Sequence, residues 1–533
     1  MATDTETLPD DPEVLKRQIQ DLTANLETRT AERDRLQEML NVLTAKRFGP
    51  TSEKAVDQYA LLDEAEIETA EEGPSEPVAE DTDTSEDTDT PAASRPKRGR
   101  KPLPEGLPRE EVVHDLPEDQ KVCATDGSPL ERIGEEVSEK LEVIPATVQV
   151  IRHVRPKYAC PGCEDTGVHT AAMPPQPIPC SIASPALLAH VATAKYVDGL
   201  PLYRMETILG RSGVDLPRAT LAHWMVRMGE AIQPLINLVG DALEAGPVLQ
   251  MDETPVQVLK EKGRKATSSS YMWIQKGGPP DQPAIRYHYA PSRGQEVPKH
   301  LLADFRGYLQ TDGYAAYGTA LADRDDVVAV GCWAHARRKF DEAIKARGKK
   351  KAKKAGRAQE GLGFIQQLYA VERQARDEDL SPDARYRLRQ AEARPVIDRM
   401  RVWLDEALAG TPPKSATGDA LRYLAGQWQR LVRYLDDGRI EIDNNGAENA
   451  IRPFVIGRKA WLFSNSTAGA TASANLYSLV ETAKANGHDP YTYLHHLFKE
   501  LPTAASLEDY EAFLPWKLDP KTLQPLPDDP PDG

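Results

Sequence analysis

The feature that most constrains this chain is an acidic pair inside a strand-like stretch at residues 248–258. Apolar residues precede Asp252 and Glu253, and valines that alternate with polar residues follow them, which is the period of a strand. A carboxylate in a buried strand is unfavourable unless a cation or a donor pairs with it. The stretch therefore predicts either a plain strand that ends in a turn at 253–255 or a strand with a catalytic Asp252. In a regular strand Glu253 faces the opposite side.

A second carboxylate, Asp312, lies at the end of a later short strand. The predicted order is a three-strand meander, a helix of about nine residues from Gln295, the strand before Asp312, a short helix and a strand at 327–333. This is the element order of the ribonuclease H-like fold, in which the first and fourth strands are neighbours. Asp252 and Asp312 then lie side by side, where they repel each other unless a cation lies between them.

The third carboxylate comes from residues 443–453, which read Asp-Asn-Asn-Gly-Ala-Glu-Asn-Ala-Ile-Arg-Pro. The Asp/Asn cluster predicts N-caps, and Glu448 follows in the early part of the helix, with Arg452 four residues later on the same face. Hard, oxygen-seeking Mg²⁺ (or Mn²⁺) is the cation expected for such a set. Asp252, Asp312 and Glu448 are therefore the predicted ligands of two metal ions that serve phosphodiester transfer.

Four stretches carry a resemblance to a known family: residues 251–254, 311–314, 332–340 and 445–463. The last reads Asn-x-x-Glu-Asn-x-Ile-Arg-Pro-x-x-x-Gly-Arg-Lys-x-Trp-Leu-Phe. On these residues the chain resembles the insertion-sequence-66 family of bacterial transposases, which belong to the DDE class.

The resemblance extends to about residue 502, and it implies that Asp252, Asp312 and Glu448 are the catalytic triad. It also implies a protein that binds the terminal inverted repeats of its element, cuts with Mg²⁺ and joins 3′ ends to target DNA. Small accessory proteins of the same element are implied as further partners.

The predicted fold class is multidomain α/β. A ribonuclease H-like mixed sheet, flanked by helices and with a helical insertion, follows a coiled coil, a small zinc-ribbon-like β unit and a helical, helix-turn-helix-like region. The predicted segments are a coiled-coil or leucine-zipper-like segment at 13–54, an acidic linker with a basic arm at 55–109, a zinc-ribbon-like domain at 110–170, a helical region at 181–240, a catalytic domain at 246–465 with its insertion at about 336–440, and a C-terminal helical domain at 468–516.

Leucines seven residues apart mark the N-terminal segment as a coiled coil that predicts a homodimer or a higher oligomer. The repeat consists of Leu15, Leu22, Leu36 and Leu43, with Ile19, Leu26 and Leu40 at its second apolar position, and Arg29 and Arg33 interrupt each position once. The alternative is a solitary amphipathic helix that folds back on its own chain.

The net charge of −17 is unevenly distributed. Residues 63–90 hold 13 Asp or Glu and no Lys or Arg, so the remainder carries −4. Double-stranded DNA is therefore not excluded as a partner. Residues 95–102 are a basic arm for phosphate or the minor groove, or else a solvated linker.

The sequence contains no run of about 18 apolar residues, and its first residues are acidic and polar. These features predict a protein without a membrane segment, located in the bacterial cytoplasm and associated with the nucleoid. Five cysteines are too few for a disulfide framework and fit a reducing compartment.

Cys160 and Cys163 form one half of a zinc-ribbon knuckle. Cys123 begins the other half, in which Asp126 stands where the family pattern has a fourth cysteine. Two interpretations are open: a Zn²⁺ site with these four ligands, or a ribbon retained without tight zinc. The alternative ligands are His114, His153 and His169.

The helical region is predicted to hold helices at 185–196 and 201–210 and a third from Pro217 to about Ile236. A short glycine-containing turn between the last two is typical of a helix-turn-helix. Arg218, Thr220, His223 and Arg227 would face the DNA groove, whereas ordinary helix packing would leave them on a solvated face.

Further basic residues are predicted to contact DNA phosphates near the active site. They are His335, Arg337, Arg338, Lys339, Arg452, Arg458 and Lys459. His335 is alternatively a buried structural histidine. The basic run at 349–354 is also predicted to contact phosphates, or else it is an exposed loop.

Two other functions compete with an active transposase. One is a catalytically inactive, transposase-derived DNA-binding protein, which the incomplete zinc half-site favours and the three carboxylates oppose. The other is a ribonuclease H-like nuclease that acts on structured nucleic acid without preference for element ends.

Overall fold

The computed structural model describes residues 148–159, 168–346 and 356–523, together with eight isolated helical positions between residues 13 and 36. The remaining coiled-coil positions, the linker, the basic run at 349–354 and the four candidate zinc ligands lie outside these residues. Residues from 155 onwards belong to one compact unit, whereas 148–154 belong to another and contain no helix or strand.

The zinc-ribbon-like segment contributes two short strands, β1 (Lys157–Ala159) and β2 (Val168–Thr170). They pair antiparallel, with Tyr158 opposite His169. Cys160 and Cys163 belong to the connection between them, which is not among the described residues. A β-strand pair therefore flanks the predicted knuckle, and its metal ligands stay a prediction.

Four helices precede the sheet: α1 (Pro185–Tyr196), α2 (Leu202–Arg211), α3 (Arg218–Ala231) and α4 (Gln233–Ala245). Ser184 caps α1 by accepting the backbone N–H of Leu187 at 3.1 Å, as its sequence predicts. The third predicted helix was wrong in its length. Ile232 ends α3, and α4 begins directly after it with Pro234 in its first turn, where proline lacks the N–H that a continuous helix would require.

A mixed sheet follows, built from β3 (Val248–Lys260), β4 (Ser269–Gly277), β5 (Ala284–Ala290), β6 (Gly307–Gln310) and β7 (Val327–Val330). Its strand order is β5-β4-β3-β6-β7. The first three strands form an antiparallel meander, and β6 and β7 extend it in parallel with β3. The predicted adjacency of the first and fourth strands is confirmed.

Two short helices connect these strands, α5 (Glu296–Leu301) and α6 (Ala315–Ala320). The predicted length of α5 was wrong, because this helix has six residues instead of about nine. The last strand was predicted to reach Trp333, whereas β7 ends at Val330. The backbone N–H of Gly331 leaves the sheet and donates to the carbonyl of Arg430 at 3.0 Å, which turns the chain towards the next helix.

The insertion is helical, as predicted, and has its own hydrophobic core. Its helices are α7 (Trp333–Ala346), α8 (Arg357–Asp377), α9 (Pro382–Leu388), α10 (Arg394–Ala409) and α11 (Ala416–Leu431), with a π-helical turn at Arg389–Ala393 and a 3-10 turn at Val432–Leu435. Trp333 is fully buried and donates its indole N–H to the carbonyl of Leu431 at 2.9 Å. The two ends of the insertion are thereby joined.

The last part of the unit contains α12 (Asn445–Trp461), β8 (Ser464–Ser466), α13 (Thr467–Ala485), α14 (Pro490–Glu500) and α15 (Leu507–Ala512). β8 pairs in parallel with the end of β3. One continuous hydrophobic core joins residues from α1–α4, the sheet and α12–α14. The predicted helical regions before and after the sheet therefore pack on the sheet instead of forming cores of their own.

Helix α13 covers the free edge of β5. Thr482 Oγ1 accepts the backbone N–H of Ile285 at 3.0 Å and donates to its carbonyl at 2.9 Å. Ser478 Oγ accepts the backbone N–H of Tyr287 at 2.7 Å. These hydroxyls occupy backbone groups that another strand could otherwise pair with.

Replacing Thr482 with Val is expected to lower the free energy of unfolding by about 1–3 kcal/mol, because a methyl group of the same shape leaves a buried N–H and a buried carbonyl of Ile285 unpaired. Urea denaturation followed by circular dichroism measures this loss. Thr319→Val is the matched control, since its exposed hydroxyl bonds only within α6. Equal midpoints for the two variants would contradict the proposed role of Thr482.

Candidate active site

The register between β3 and β6 brings Asp252 and Asp312 to the same level. Gln250 lies opposite Gln310 in this parallel pair, and each aspartate follows its glutamine by two residues, Asp312 just beyond the end of β6. The two glutamines share a face, and Gln250 Nε2 donates to Gln310 Oε1 at 2.8 Å. Since side chains alternate along a strand, Asp252 faces the same side as Gln250.

The same glutamine pair fixes the segment that leads to Glu448. Gln250 Nε2 donates to the carbonyl of Asp443 at 3.1 Å, and Gln310 Nε2 donates to the carbonyls of Glu441 and Gly331 at 2.8 and 3.2 Å. These side chains are almost completely buried, so their amides have no water to pair with. The start of α12 is therefore fastened to the two strands that carry the aspartates.

Asn444 adds a third attachment. It is fully buried, and its Nδ2 donates to the carbonyl of Met251 at 3.0 Å, directly before Asp252. The expected N-cap bond is absent at Asn444, because its side chain is directed to β3 instead of to α12. Asp443 instead makes the side-chain hydrogen bond at the start of α12, where it accepts the backbone N–H of Asn445 at 3.1 Å. The hydroxyl of Tyr369 donates to Asp443 at 2.7 Å.

Glu448 lies in the first turn of α12 and is buried. It is close enough to Asp252 for the two charges to interact. Burial raises the pKa of Asp252 well above its usual range, and the charges of Glu253, Glu448 and Asp312 raise it further. The three residues predicted to form the site thus converge from β3, from the end of β6 and from α12.

Glu253 has partners of its own, although its charge also interacts with those of Asp252 and Asp312. Its Oε1 lies 2.6 Å from Nη2 of Arg293, and its Oε2 accepts the hydroxyl of Tyr317 at 2.5 Å. The guanidinium of Arg293 in turn lies over the ring of Tyr314, 3.9 Å from its centre. This side chain therefore already has charge compensation.

Helix α7 faces Glu448 with two of the predicted DNA-contacting residues. His335 Nδ1 lies 3.7 Å from Glu448 Oε1, and Arg338 Nη2 lies 3.8 Å from Glu448 Oε2. Burial and the charge of Arg338 lower the pKa of His335 to about 4, so its ring is neutral at neutral pH. Arg338 and His335 are also in contact, at 3.3 Å.

The other basic residues predicted to bind DNA are arranged around this centre or on the surface. Arg337 lies over the ring of Tyr369 and Lys339 is exposed. On α12, Arg458 donates to Thr254 Oγ1 at 3.0 Å, Arg452 is half-buried and Lys459 is exposed. Arg218 is exposed on α3, as are His223 and Arg227, which leaves this face accessible.

Sequence reasoning missed Gln250, Gln310, Asn444 and Cys332. A signal for the glutamines was present, because Gln-x-Asp occurs twice, at 250–252 and 310–312. Nothing in the sequence indicates that Cys332 Sγ accepts the backbone N–H of Asn444, which is 112 positions away.

Sequence comparisons agree with this architecture. The family described as "Transposase IS66 family" matches residues 180–472, and the "zinc-finger binding domain of transposase IS66" matches 120–164. The "IS66 C-terminal element" matches 478–516, and "Transposase C of IS166 homeodomain" matches 35–112. The match at 120–164 includes Cys123, Asp126, Cys160 and Cys163.

Relatives with similar lengths occur in Sinorhizobium fredii (strain NBRC 101917 / NGR234). The uncharacterized protein y4qI is 32% identical over 502 residues, which cover 92% of this chain and 89% of that protein. The uncharacterized protein y4jD is 33% identical over 427 residues, covering 78% and 81% respectively.

The class of protein that these matches define is a transposase, an enzyme that acts on DNA. The chain belongs to the IS66 transposase family. Among the residues that the structure describes, no helix combines the length and apolar character that crossing a membrane requires.

Proposed function

We propose that this protein is an active DNA transposase that binds the terminal inverted repeats of its element, cleaves DNA and joins the 3′ ends to target DNA. Asp252, Asp312 and Glu448 are its proposed catalytic triad. The observation that carries this proposal is the convergence of three carboxylates from three separate elements in a member of a transposase family. The strand order β5-β4-β3-β6-β7 supports a ribonuclease H-like fold for the catalytic domain.

The residues present fit a divalent metal. The carboxylates offer only oxygen atoms, and the repulsion that raises the pKa of Asp252 would be relieved by a cation between them. Mg²⁺ or Mn²⁺ is the ion that suits such a set. When bound, it would supply Lewis-acid polarisation of the scissile phosphate.

The chain's own residues have separate tasks in this proposal. Gln250, Gln310 and Asn444 hold the three carboxylates in position through their bonds between β3, β6 and α12. Arg338 lies beside Glu448, where its guanidinium can donate to two oxygens of a phosphate group of the DNA backbone.

Other basic residues would bind the DNA backbone further from the reacting phosphate. We assign this role to Arg337, Lys339, Arg452, Arg458 and Lys459, and groove contacts to Arg218 on α3. Such contacts give affinity without sequence specificity and weaken as salt increases. His335 is assigned below to a different role.

The N-terminal segments are proposed to supply specificity and assembly. Cys123, Asp126, Cys160 and Cys163 would bind Zn²⁺ in the zinc-finger domain, and the coiled coil would form a homodimer or higher oligomer. Leu22 and Leu36 are 67% and 61% exposed in the single chain, which supports a partner helix there. The domain boundaries predicted from the sequence, the accessory proteins and a cytoplasmic, nucleoid-associated location belong to the same proposal.

A strand-transfer assay tests the function. Purified full-length protein is expected to join labelled element-end DNA to a target duplex with Mg²⁺ and not with a chelator. A duplex with scrambled ends is the control. Equal cleavage of cognate and scrambled DNA would favour a general nuclease, and specific binding without any cleavage would favour an inactive DNA-binding derivative.

A further inference from the structure

Three different metal-ligand types meet on the α7 side of Glu448. Ligand atoms of Cys332, His335 and Glu448 all lie within 4.8 Å of one another. The nitrogen and oxygen pair, His335 Nδ1 and Glu448 Oε1, is 3.7 Å apart. In a tetrahedral zinc site with bonds of about 2.0–2.1 Å, such atoms are about 3.3 Å apart. A small side-chain movement therefore suffices for all three to reach one ion.

The sulfur of Cys332 is buried and accepts a backbone hydrogen bond. Cys332 is buried directly before α7, and its Sγ accepts the backbone N–H of Asn444 at 3.2 Å. Burial and the charges of Asp443 and Glu448 raise the pKa of its thiol well above the usual range, whereas the backbone N–H groups of Asn444 and His335 lower it. Burial outweighs these N–H groups, so the free chain holds a neutral thiol, and the backbone N–H of Asn444 would support the thiolate once a cation binds beside it.

His335 is the second unusual group. Its Nδ1 is buried and makes no hydrogen bond with any residue in the described part of the chain. Its other ring nitrogen, Nε2, lies 3.3 Å from Nη1 of Arg338, and neutral imidazole is the form that binds metals. A buried ring nitrogen without a hydrogen bond, 3.7 Å from a carboxylate and near a thiol, fits a ligand better than a packing residue.

We propose that Cys332, His335 and Glu448 form a separate site for a thiophilic divalent ion such as Zn²⁺. Sulfur and imidazole favour Zn²⁺ over Mg²⁺, which prefers oxygen alone. When the ion binds, the thiol proton passes to the solvent, and the imidazole proton passes through solvent from Nδ1 to Nε2 as Arg338 Nη1 moves away from Nε2. Three protein ligands leave a fourth position for water.

Occupation of this site withdraws Glu448 from Asp252 and Asp312. This second part rests on the proposed function. Zinc is expected to inhibit DNA strand transfer, because it competes with Mg²⁺ for the carboxylate of Glu448. The two ions would be mutually exclusive at Glu448, although their remaining ligands differ.

Cobalt(II) is the probe for the site, because a thiolate bound to Co²⁺ gives a charge-transfer band in the near ultraviolet. The full-length chain is titrated with Co²⁺ without thiol reductant, and bound metal is counted by equilibrium dialysis. Because the zinc-finger cysteines can also bind cobalt, the measured quantity is the difference between wild type and Cys332→Ser. Wild type is expected to bind one more equivalent and to show the larger band.

Cys180→Ser is the matched control, since Cys180 is exposed while Cys332 is buried. It is expected to keep the full stoichiometry and spectrum. His335→Gln is a second test that does not disturb the buried sulfur, and it is expected to weaken the extra equivalent at least tenfold. Circular dichroism verifies that each variant is folded.

Identical stoichiometry and spectra for wild type, Cys332→Ser and His335→Gln would overturn the site and leave Cys332 as a cap of α7. Excess Mg²⁺ is expected to weaken binding of the extra cobalt ion, and no such effect would overturn the sharing of Glu448. Neither measurement uses DNA. A protein that fails in strand transfer but binds the extra cobalt ion would contradict the proposed function and retain this site.

Discussion

Replacing Asp252 with Asn is expected to lower the rate of Mg²⁺-dependent strand transfer on the order of 10³-fold, which corresponds to about 4 kcal/mol of activation free energy. The amide has nearly the shape of the carboxylate but lacks the charge that would attract a divalent ion. Asp252 is half-buried on the central strand β3, so no neighbouring side chain can take over its position.

The same variant is expected to be at least as stable as wild type when no metal is present. Burial and neighbouring carboxylates raise the pKa of Asp252 in the folded state above its unfolded value. Ionisation of this group therefore costs stability as the pH rises above the unfolded pKa, and Asn removes that cost at neutral pH. Activity and stability should change in opposite directions.

Thermal unfolding in a Mg²⁺ titration measures this effect separately from catalysis. At ten times the dissociation constant, the ion would stabilise wild type by about 1.4 kcal/mol, and it should stabilise Asp252→Asn much less. Glu253→Gln is the control, because Glu253 is already paired with Arg293 and Tyr317. It is expected to retain more activity and more of the Mg²⁺ stabilisation. Equal losses of activity and of Mg²⁺ stabilisation in the two variants would contradict the assignment of Asp252 as a metal ligand.

Replacing Arg389 with Met is expected to lower the free energy of unfolding by about 3–5 kcal/mol. Arg389 is fully buried, and all five of its N–H groups are used. Two donate to Glu372, at 2.7 and 2.9 Å. The other three donate to the carbonyls of Tyr434, Asp437 and Ile440 at 2.7, 2.9 and 2.8 Å. Methionine fills the space but leaves these acceptors unpaired.

Urea denaturation gives the stability, and Arg385→Met is the matched control. Arg385 also binds Glu372, at 2.6 Å, but its side chain is 14% exposed and water can replace it. We therefore expect a smaller loss for Arg385→Met. If Arg389→Met unfolds at the wild-type midpoint, Arg389 does not fasten the insertion to the segment before α12.

The sequence predicted the sheet and the candidate site because the relevant signals are local. Alternation around Asp252, the short apolar run before Asp312 and the Asp/Asn cluster before Glu448 each lie within a few residues. Their common order then suggested that β3 and β6 are neighbours, which the register confirms. Pro234 is a further local signal, because its missing N–H separates α3 from α4.

The remaining features depend on partners far away in the chain. The bonds of Gln310 to Glu441 and of Arg389 to Tyr434 join residues 131 and 45 positions apart. No periodicity encodes such pairs, because a glutamine or an arginine is equally compatible with solvent. Likewise, the contact of His335 with Glu448 requires α7 and α12 to be packed side by side.

The covering of β5 by α13 has a consequence for biosynthesis. Tyr287 and Ile285 are separated by 191 and 197 positions from the hydroxyl groups that complete their pairing. At about 5–20 residues per second, a translating ribosome would take about 10–40 s to make that length of chain. During this interval a nascent chain has an unpaired strand edge that can recruit other chains. Chaperone binding to nascent chains is therefore expected to be strongest between these two points and to decrease once residue 482 has left the ribosome.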